Sequence, residues 1–235
     1  MTLLVAIEGA DGAGKHTAST GLRDALTARG YSACVLSFPR YQETVGGFAL
    51  GEFLSGRLPT APSARAAAVL YALDRLESIE VVVAAASAHD VVIFDRYIAS
   101  NMVYQASKVP AAQAGDFMKW IWGLEVKTFG VLPPDVSVYL DTSLEHARKL
   151  MRLKQRRSYT ERTLDEHEAD LALQQRVRRN YAAIAKDGRF GPWHVVRSEA
   201  AGGLRCPEDI VKEIVDRLAP HLDVSAQDAS RRITA

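Results

Sequence analysis

The stretch Gly9 to Lys15, reading G-A-D-G-A-G-K, constrains this chain more than any other. It follows the apolar, β-leaning run Thr2–Ile7 and opens a helical pattern from about Lys15 to Arg29. A chain with this order has to end a buried strand, turn tightly, and start a helix. The glycines let backbone N–H groups turn inward, and the helix start adds the positive end of its dipole. Together they make a cradle for phosphate oxygens, formed by Gly9, Ala10, Asp11, Gly12, Ala13, Gly14 and Lys15, with the Lys15 ammonium reaching the outer phosphates. The position after the lysine usually supplies a hydroxyl to Mg²⁺. Here it is His16, and the hydroxyl comes one place later, at Thr17. Either Mg²⁺ is held through phosphates, water and an acid such as Asp11 or Asp95, or the loop is not catalytic and His16 is a solvated surface ring.

The rest of the chain repeats the alternation. Ser32–Phe38, Asp90–Asp95, Val136–Leu140 and Trp193–Arg197 read as strands. Thr44–Ser55, Ser63–Ala88, Ala99–Ser107, Ala111–Lys127, Leu144–Leu153, Leu164–Lys186 and Pro207–Leu222 read as helices. Strands alternating with helices predict an α/β fold, a five-stranded parallel sheet flanked by helices on both faces. With no internal repeat and no linker, residues 1–222 form one domain, and the small polar residues 223–235 form a flexible tail.

Bulk properties narrow the function. The 235 residues carry 29 basic and 28 acidic side chains, a net charge of +1. A protein that coats a nucleic acid polymer carries a large basic excess, so anion binding here is local. No apolar run reaches the 18 or so residues that span a membrane. Cys34 and Cys206 have no metal-ligand spacing, which suits reduced thiols and a cytoplasmic location.

Two further clusters point to phosphate chemistry. Asp95 ends a strand and is followed by Arg96, and ligands of parallel sheets sit at the carboxyl ends of strands. Asp95 could orient a metal water or Arg96, or simply cap the next helix. The Arg96 fork suits the phosphate of an acceptor. Arg148, Lys149, Arg152, Lys154, Arg156, Arg157 and Arg162 crowd into fifteen residues. Read blandly they are a solvated helix face. Read chemically, residues 148–163 form an arginine-rich lid that brings cations to a transferring phosphoryl group and excludes water.

Four ordered motifs narrow the reading: E-G-A-D-G-A-G-K-H-T at Glu8–Thr17, F-P-R-Y at Phe38–Tyr41, A-L-D-R at Ala72–Arg75, and D-R-Y-I-A-S-N-M-V-Y at Asp95–Tyr104. Together they resemble the thymidylate kinases, over about Leu3 to Leu222; D-E-H-E at Asp165–Glu168 sits where that family has an acidic motif after its lid. The resemblance implies transfer of a phosphoryl group from ATP to dTMP, with Mg²⁺ as cofactor and a homodimer built through helices such as Ser63–Ala88 and Ala111–Lys127. It implies that Asp11 helps place the metal and contacts the acceptor. Phe38, Arg40 and Tyr41 would line the dTMP site, and Tyr71 would stack on thymine. Arg75 would meet O4 and Asn101 would meet N3. Ser100 falls within the same acceptor motif. Arg96 would hold the monophosphate, and Tyr104 would crowd the sugar 2′ position. Asp165 and Glu168 would approach the acceptor, with Glu168 near the 3′-hydroxyl or a metal water. The phosphate loop carries no arginine, so the family pattern assigns the catalytic one to the lid, with Arg152, Arg156 and Arg157 as candidates. Each residue has a plainer reading, such as Tyr71 as core of an alanine-rich helix. A kinase for a different nucleoside or monophosphate, or a nucleotide-binding regulator without catalysis, are the competing functions.

Overall fold

The computed structural model describes residues 2–157, 171–201 and 203–233. Five parallel strands form the sheet: β1 (Leu3–Glu8), β2 (Ala33–Ser37), β3 (Val91–Asp95), β4 (Val136–Asp141) and β5 (Trp193–Arg197), in the spatial order β2-β3-β1-β4-β5. The glycine-rich loop therefore leaves from the central strand. Pairing of Ile7 with Asp95 and of Glu8 with Tyr139 aligns the carboxyl ends of three strands around it.

Both faces of the sheet are buried, as the continuous apolar strands require. On one face Val5, Ile7, Ile93 and Val138 pack against Leu22 and Leu26 of α1 (Lys15–Thr27) and Ile214 and Leu218 of α9 (Pro207–Ile233). On the other, Leu4, Ala6, Phe94 and Tyr139 meet Met102 and Val103 of α5 (Ile98–Ala106), Ile121 of α6 (Ala111–Trp122), and Val177 and Tyr181 of α8 (Leu171–Asp187). Alternate side chains of one strand thus serve two cores.

Helices α2 (Val45–Leu54) and α3 (Ala64–Glu77) pack into a lobe beside the carboxyl edge of β2 and β3. The α2 glycines have a steric reason. A Cβ at Gly46 would stand 2.5 Å from the Asp74 nitrogen and 2.8 Å from the Leu70 oxygen. Thr44 caps α2 by accepting from the Gly47 nitrogen at 2.8 Å, and its hydroxyl donates to buried Asp74.

The structure corrects several sequence expectations. The helix expected over Ser63–Ala88 breaks at Ser78 into α3 and α4 (Ile79–Ala88). The Ser78 hydroxyl bonds back to the Asp74 carbonyl at 2.7 Å, a local competitor with regular helix that no Gly or Pro announces. Helix α6 stops at Trp122 and continues as a π-helical segment, Gly123–Thr128. Helix α7 (Leu144–Arg157) runs four residues past its expected end and takes in part of the basic stretch. A short antiparallel hairpin, β6 (Glu199–Ala200) and β7 (Gly203–Leu204), was not expected. Helix α9 runs to Ile233, through Pro220 and beyond Asp223, where the sequence suggested a tail.

Candidate active site

The phosphate loop folds as its glycines dictate. Gly12 (φ +76°) and Gly14 (φ +87°) take left-handed conformations that other L-residues adopt at a penalty. A Cβ at Gly12 would also fall on the Ala147 carbonyl and stand 2.9 Å from Met151 Cγ. Helix α7 therefore rests directly on the loop, and Arg152 and Arg156 follow on that helix, one turn apart.

Lys15 is buried and donates to the Gly9 and Ala10 carbonyls, at 3.0 and 2.7 Å. Burial and the nearby Arg96 charge pull its pKa down to about 7, against the opposing pull of Asp11, Asp95 and Glu8. His16 stands at the start of α1 with its side chain 76% exposed, and its Nδ1 is 3.4 Å from Asp95 Oδ2. Thr17 is exposed.

Asp11 is the hub of the site. Arg96 Nη2 donates to its Oδ1, and Gln174 Nε2 of α8 donates to its Oδ2 at 2.6 Å. The Asp11 nitrogen in turn donates to Gln174 Oε1 at 3.3 Å. Burial alone would raise the carboxyl pKa, but Arg96, Lys15, Tyr104 and Gln174 outweigh it and bring it to about 2. Arg96 has φ +65°, rare for a residue with a side chain, and its nitrogen is tied to the Ile7 carbonyl at 3.1 Å. Its guanidinium carbon lies 5.4 Å from the centre of the Tyr104 ring. Burial and the Asp11 charge push the Tyr104 phenol well above its usual range.

Beneath this pair Glu8 is fully buried and accepts from the Tyr97 and Ser100 nitrogens, the Ser100 hydroxyl and the Tyr181 hydroxyl, at 2.9, 3.3, 2.7 and 2.8 Å. It caps the start of α5, just after Arg96.

A cleft of about 150 Å³ runs from the loop toward α3. Asp11, Phe38, Tyr41, Tyr71, Arg75, Arg96, Ser100 and Tyr104 all line it, along with Pro39, Leu54 and Tyr97. At its far end Arg75 is buried and gives Nε and Nη2 to the two oxygens of Glu125, which lies in the π-helical segment and is fully buried. Asn101 does not line the cleft. It is buried behind the lining, with Nδ2 donating to Glu125 Oε1 at 2.8 Å and to the Ala68 carbonyl at 2.9 Å, and its Oδ1 has no partner among the described residues.

Arg40, like Asn101, is absent from the lining: its side chain pairs with Glu43 and donates to Ser78 Oγ at 3.2 Å. Glu168 and Asp165 lie outside the described residues. Sequence reasoning gave no role to Gln174, Tyr181 or Glu125. A polar residue on the buried stripe Gln174–Val177–Tyr181–Ile184 was the available signal for the first.

The family model described as thymidylate kinase matches residues 7–199. The chain belongs to the thymidylate kinase family. That family consists of ATP-dependent phosphotransferases acting on dTMP, and this kinase carries its fold and motifs. A thymidylate kinase from Mycobacterium tuberculosis is 38% identical over 202 residues, covering 86% of this chain and 94% of that protein. One from Clavibacter sepedonicus is 34% identical over 191 residues, covering 78% and 81%. The solved structure of thymidylate kinase from Candida albicans superposes with a TM-score of 0.69 at 19% identity, covering 94% of this chain and 92% of that one, a likeness of fold. Among the described residues no helix is long and apolar enough to cross a membrane.

Proposed function

We propose that the kinase transfers the γ-phosphoryl group of ATP to the phosphate of dTMP, with the cleft as acceptor site and the glycine-rich loop as donor site. The observation that carries the reading is the lining of that cleft. Its loop end holds the Arg96–Asp11 pair and its α3 end holds Tyr71 and Arg75. An acceptor nucleotide has the same polarity, with an anion at one end and a planar base with hydrogen-bonding edges at the other. Arg96 takes the monophosphate in its fork. Tyr71 gives the base a stacking surface worth about 1–3 kcal/mol. Arg75 donates to O4 and Tyr104 disfavours a 2′-hydroxyl; Asn101 stands behind the lining, and its partnerless Oδ1 accepts from N3–H when the base seats against Arg75.

On the donor side Lys15 binds the outer phosphates, exchanging its loop carbonyls for phosphate oxygens. Arg152 or Arg156 brings the lid cation to the transferring group. Asp165 and Glu168 serve the acceptor side. Mg²⁺ fits the donor set: Asp11 is ionised and Asp95 sits within reach of the loop, both hard oxygen ligands, and Mg²⁺ is held by one or two carboxylates plus phosphates. When bound, the ion would neutralise phosphate charge. A homodimer is supported by exposed apolar side chains on α3 and α4, Val69, Val81 and Val83. Light scattering on the purified kinase tests it.

The acceptor assignment is tested by Arg96→Ala in an ADP-release assay. A rise in KM for dTMP of about 10–100-fold, with KM for ATP little changed, is expected from losing a charged hydrogen-bonding partner. Equal effects on both substrates would remove Arg96 from the acceptor site.

A further inference from the structure

The base end of the cleft is organised by a residue that never lines it. Glu125 is fully buried, and three donors converge on its two oxygens: Arg75 Nε and Nη2, and Asn101 Nδ2. Each bond fixes a choice. Two of the guanidinium's nitrogens are used inward, so Nη1 is the one that makes no bond to Glu125, on a residue that lines the cleft. The Asn101 amide has two acceptors around its nitrogen, Glu125 Oε1 and the Ala68 carbonyl. Rotating the amide by half a turn would set oxygen against both, so the nitrogen stays inward and Oδ1 is the atom left over. That oxygen is buried and has no partner among the described residues, a state native proteins keep for a reason.

We propose that Glu125 is the residue that sets base specificity, by holding Arg75 as a donor and Asn101 as an acceptor. The inference rests on the assignment of these two residues to the base edge. A donor beside an acceptor complements a carbonyl next to a ring N–H, the pattern of thymine at O4 and N3. Cytosine presents an amino group next to a bare ring nitrogen, the reverse pattern, and meets like against like at both positions. Glu125 touches no substrate and acts as a positioning residue. It lies in a π-helical segment, a local irregularity common near functional sites, with its carboxylate bonded to Arg75 of α3 and Asn101 of α5.

The test compares kcat/KM for dTMP and dCMP in the wild type, Glu125→Gln and Glu125→Asp. Gln supplies one acceptor and one donor where two acceptors stood, so Arg75 loses its counter-charge and the Asn101 amide is left with the Ala68 carbonyl as the one acceptor certain to hold its orientation. Asp keeps the charge that buried Arg75 needs but is one methylene shorter. The dTMP-to-dCMP ratio is expected to fall at least tenfold in Glu125→Gln and less in Glu125→Asp. The change should sit in KM for the acceptor, with KM for ATP unmoved. Wild-type kinetics with N3-methyl-dTMP test the underlying reading separately. If methylation is tolerated, the base-edge assignment fails. If it is rejected but the ratio survives in whichever variants fold, the role of Glu125 fails alone. Loss of folding in both variants also counts against it, because Glu125 is then a fold determinant.

Discussion

Gln174 and Asp11 hold each other through two hydrogen bonds that run in opposite directions. The glutamine amide donates to the carboxylate, and the aspartate backbone donates to the glutamine oxygen. The pair joins α8 to the third residue of the phosphate loop across 163 positions of sequence. It fixes one carboxylate oxygen while Arg96 fixes the other. The orientation of the loop acid is therefore decided by a neutral side chain that adds no charge to a crowded site.

Gln174→Ala removes that control. Hydrogen bonds to charged groups contribute about 1.5–3 kcal/mol, so a fall in kcat/KM of about 10–100-fold is expected. The check is a double-mutant cycle with Asp11→Asn. If Gln174 acts through Asp11, the two losses will not add; additive losses would separate them.

Gly12 and Gly14 share a left-handed backbone but not a neighbourhood. A Cβ at Gly14 meets nothing within 4 Å among the described residues, while one at Gly12 collides with α7. Gly14→Ala should lower stability by about 1–2 kcal/mol, the left-handed penalty alone. Gly12→Ala should exceed that and raise KM for ATP, since α7 or the loop has to shift. Denaturant unfolding of the two variants measures the difference, and equal values would remove the α7 contact as its cause.

Lys15, with its pKa near 7, is partly neutral at pH 8. The phosphates of a bound nucleotide favour its charged form, so ATP binding at pH 8 should take up a fraction of a proton. Calorimetry in buffers of different ionisation enthalpy reads this directly. The kcat/KM for ATP should also decline as pH rises through 7, because that parameter reports the free enzyme. Binding without proton uptake at pH 8 would contradict the placement of Lys15.

His194 on β5 is held below its usual pKa, first by burial and then by His221 and Arg217 of α9. A histidine with a lowered native pKa binds fewer protons folded than unfolded. Stability is therefore kept above the unfolded value, near 6.5, and lost as pH falls below it. His194→Phe should flatten the melting temperature between pH 7.5 and 5.5 relative to the wild type. A variant that loses melting temperature with acid as steeply as the wild type would exclude His194 as the cause.

The sheet and the phosphate loop were legible because their signals are local. An apolar run, a glycine pattern and a helix start lie within some 30 consecutive residues, and Asp95–Arg96 sits at the end of its own strand. The Arg96–Asp11 pair was not legible: the sequence offered Asp95 as the acid that orients Arg96, whereas the structure pairs Arg96 with Asp11 and sets Asp95 against His16. The supporting residues were not legible in the same way. Glu8 meets Tyr181 across 173 positions, and Arg75 meets Glu125 across 50. Such pairings are set by how α6 and α8 dock, which no window of sequence contains. Arg40 shows the opposite failure. It lies inside a recognisable motif, yet its neighbours Glu43 and Ser78 turn it away from the cleft. The break at Ser78 and the π-helical turn at Gly123 were invisible because a serine bond to a carbonyl and a slipped hydrogen-bond register leave little trace in periodicity.

The most direct test of the account is an acceptor panel. Purified kinase with ATP and Mg²⁺ is offered dTMP, dUMP, dCMP, dGMP and thymidine separately, and ADP release is measured. A site that hydrogen-bonds one base edge can reject the wrong one by factors that reach about 10⁴–10⁵. The expected result is a kcat/KM for dTMP at least about 100-fold above dCMP and dGMP, with little turnover of thymidine, which lacks the phosphate that Arg96 binds. Turnover of dCMP at or above the rate with dTMP would contradict the roles of Arg75 and Asn101, and with them the reading of the cleft.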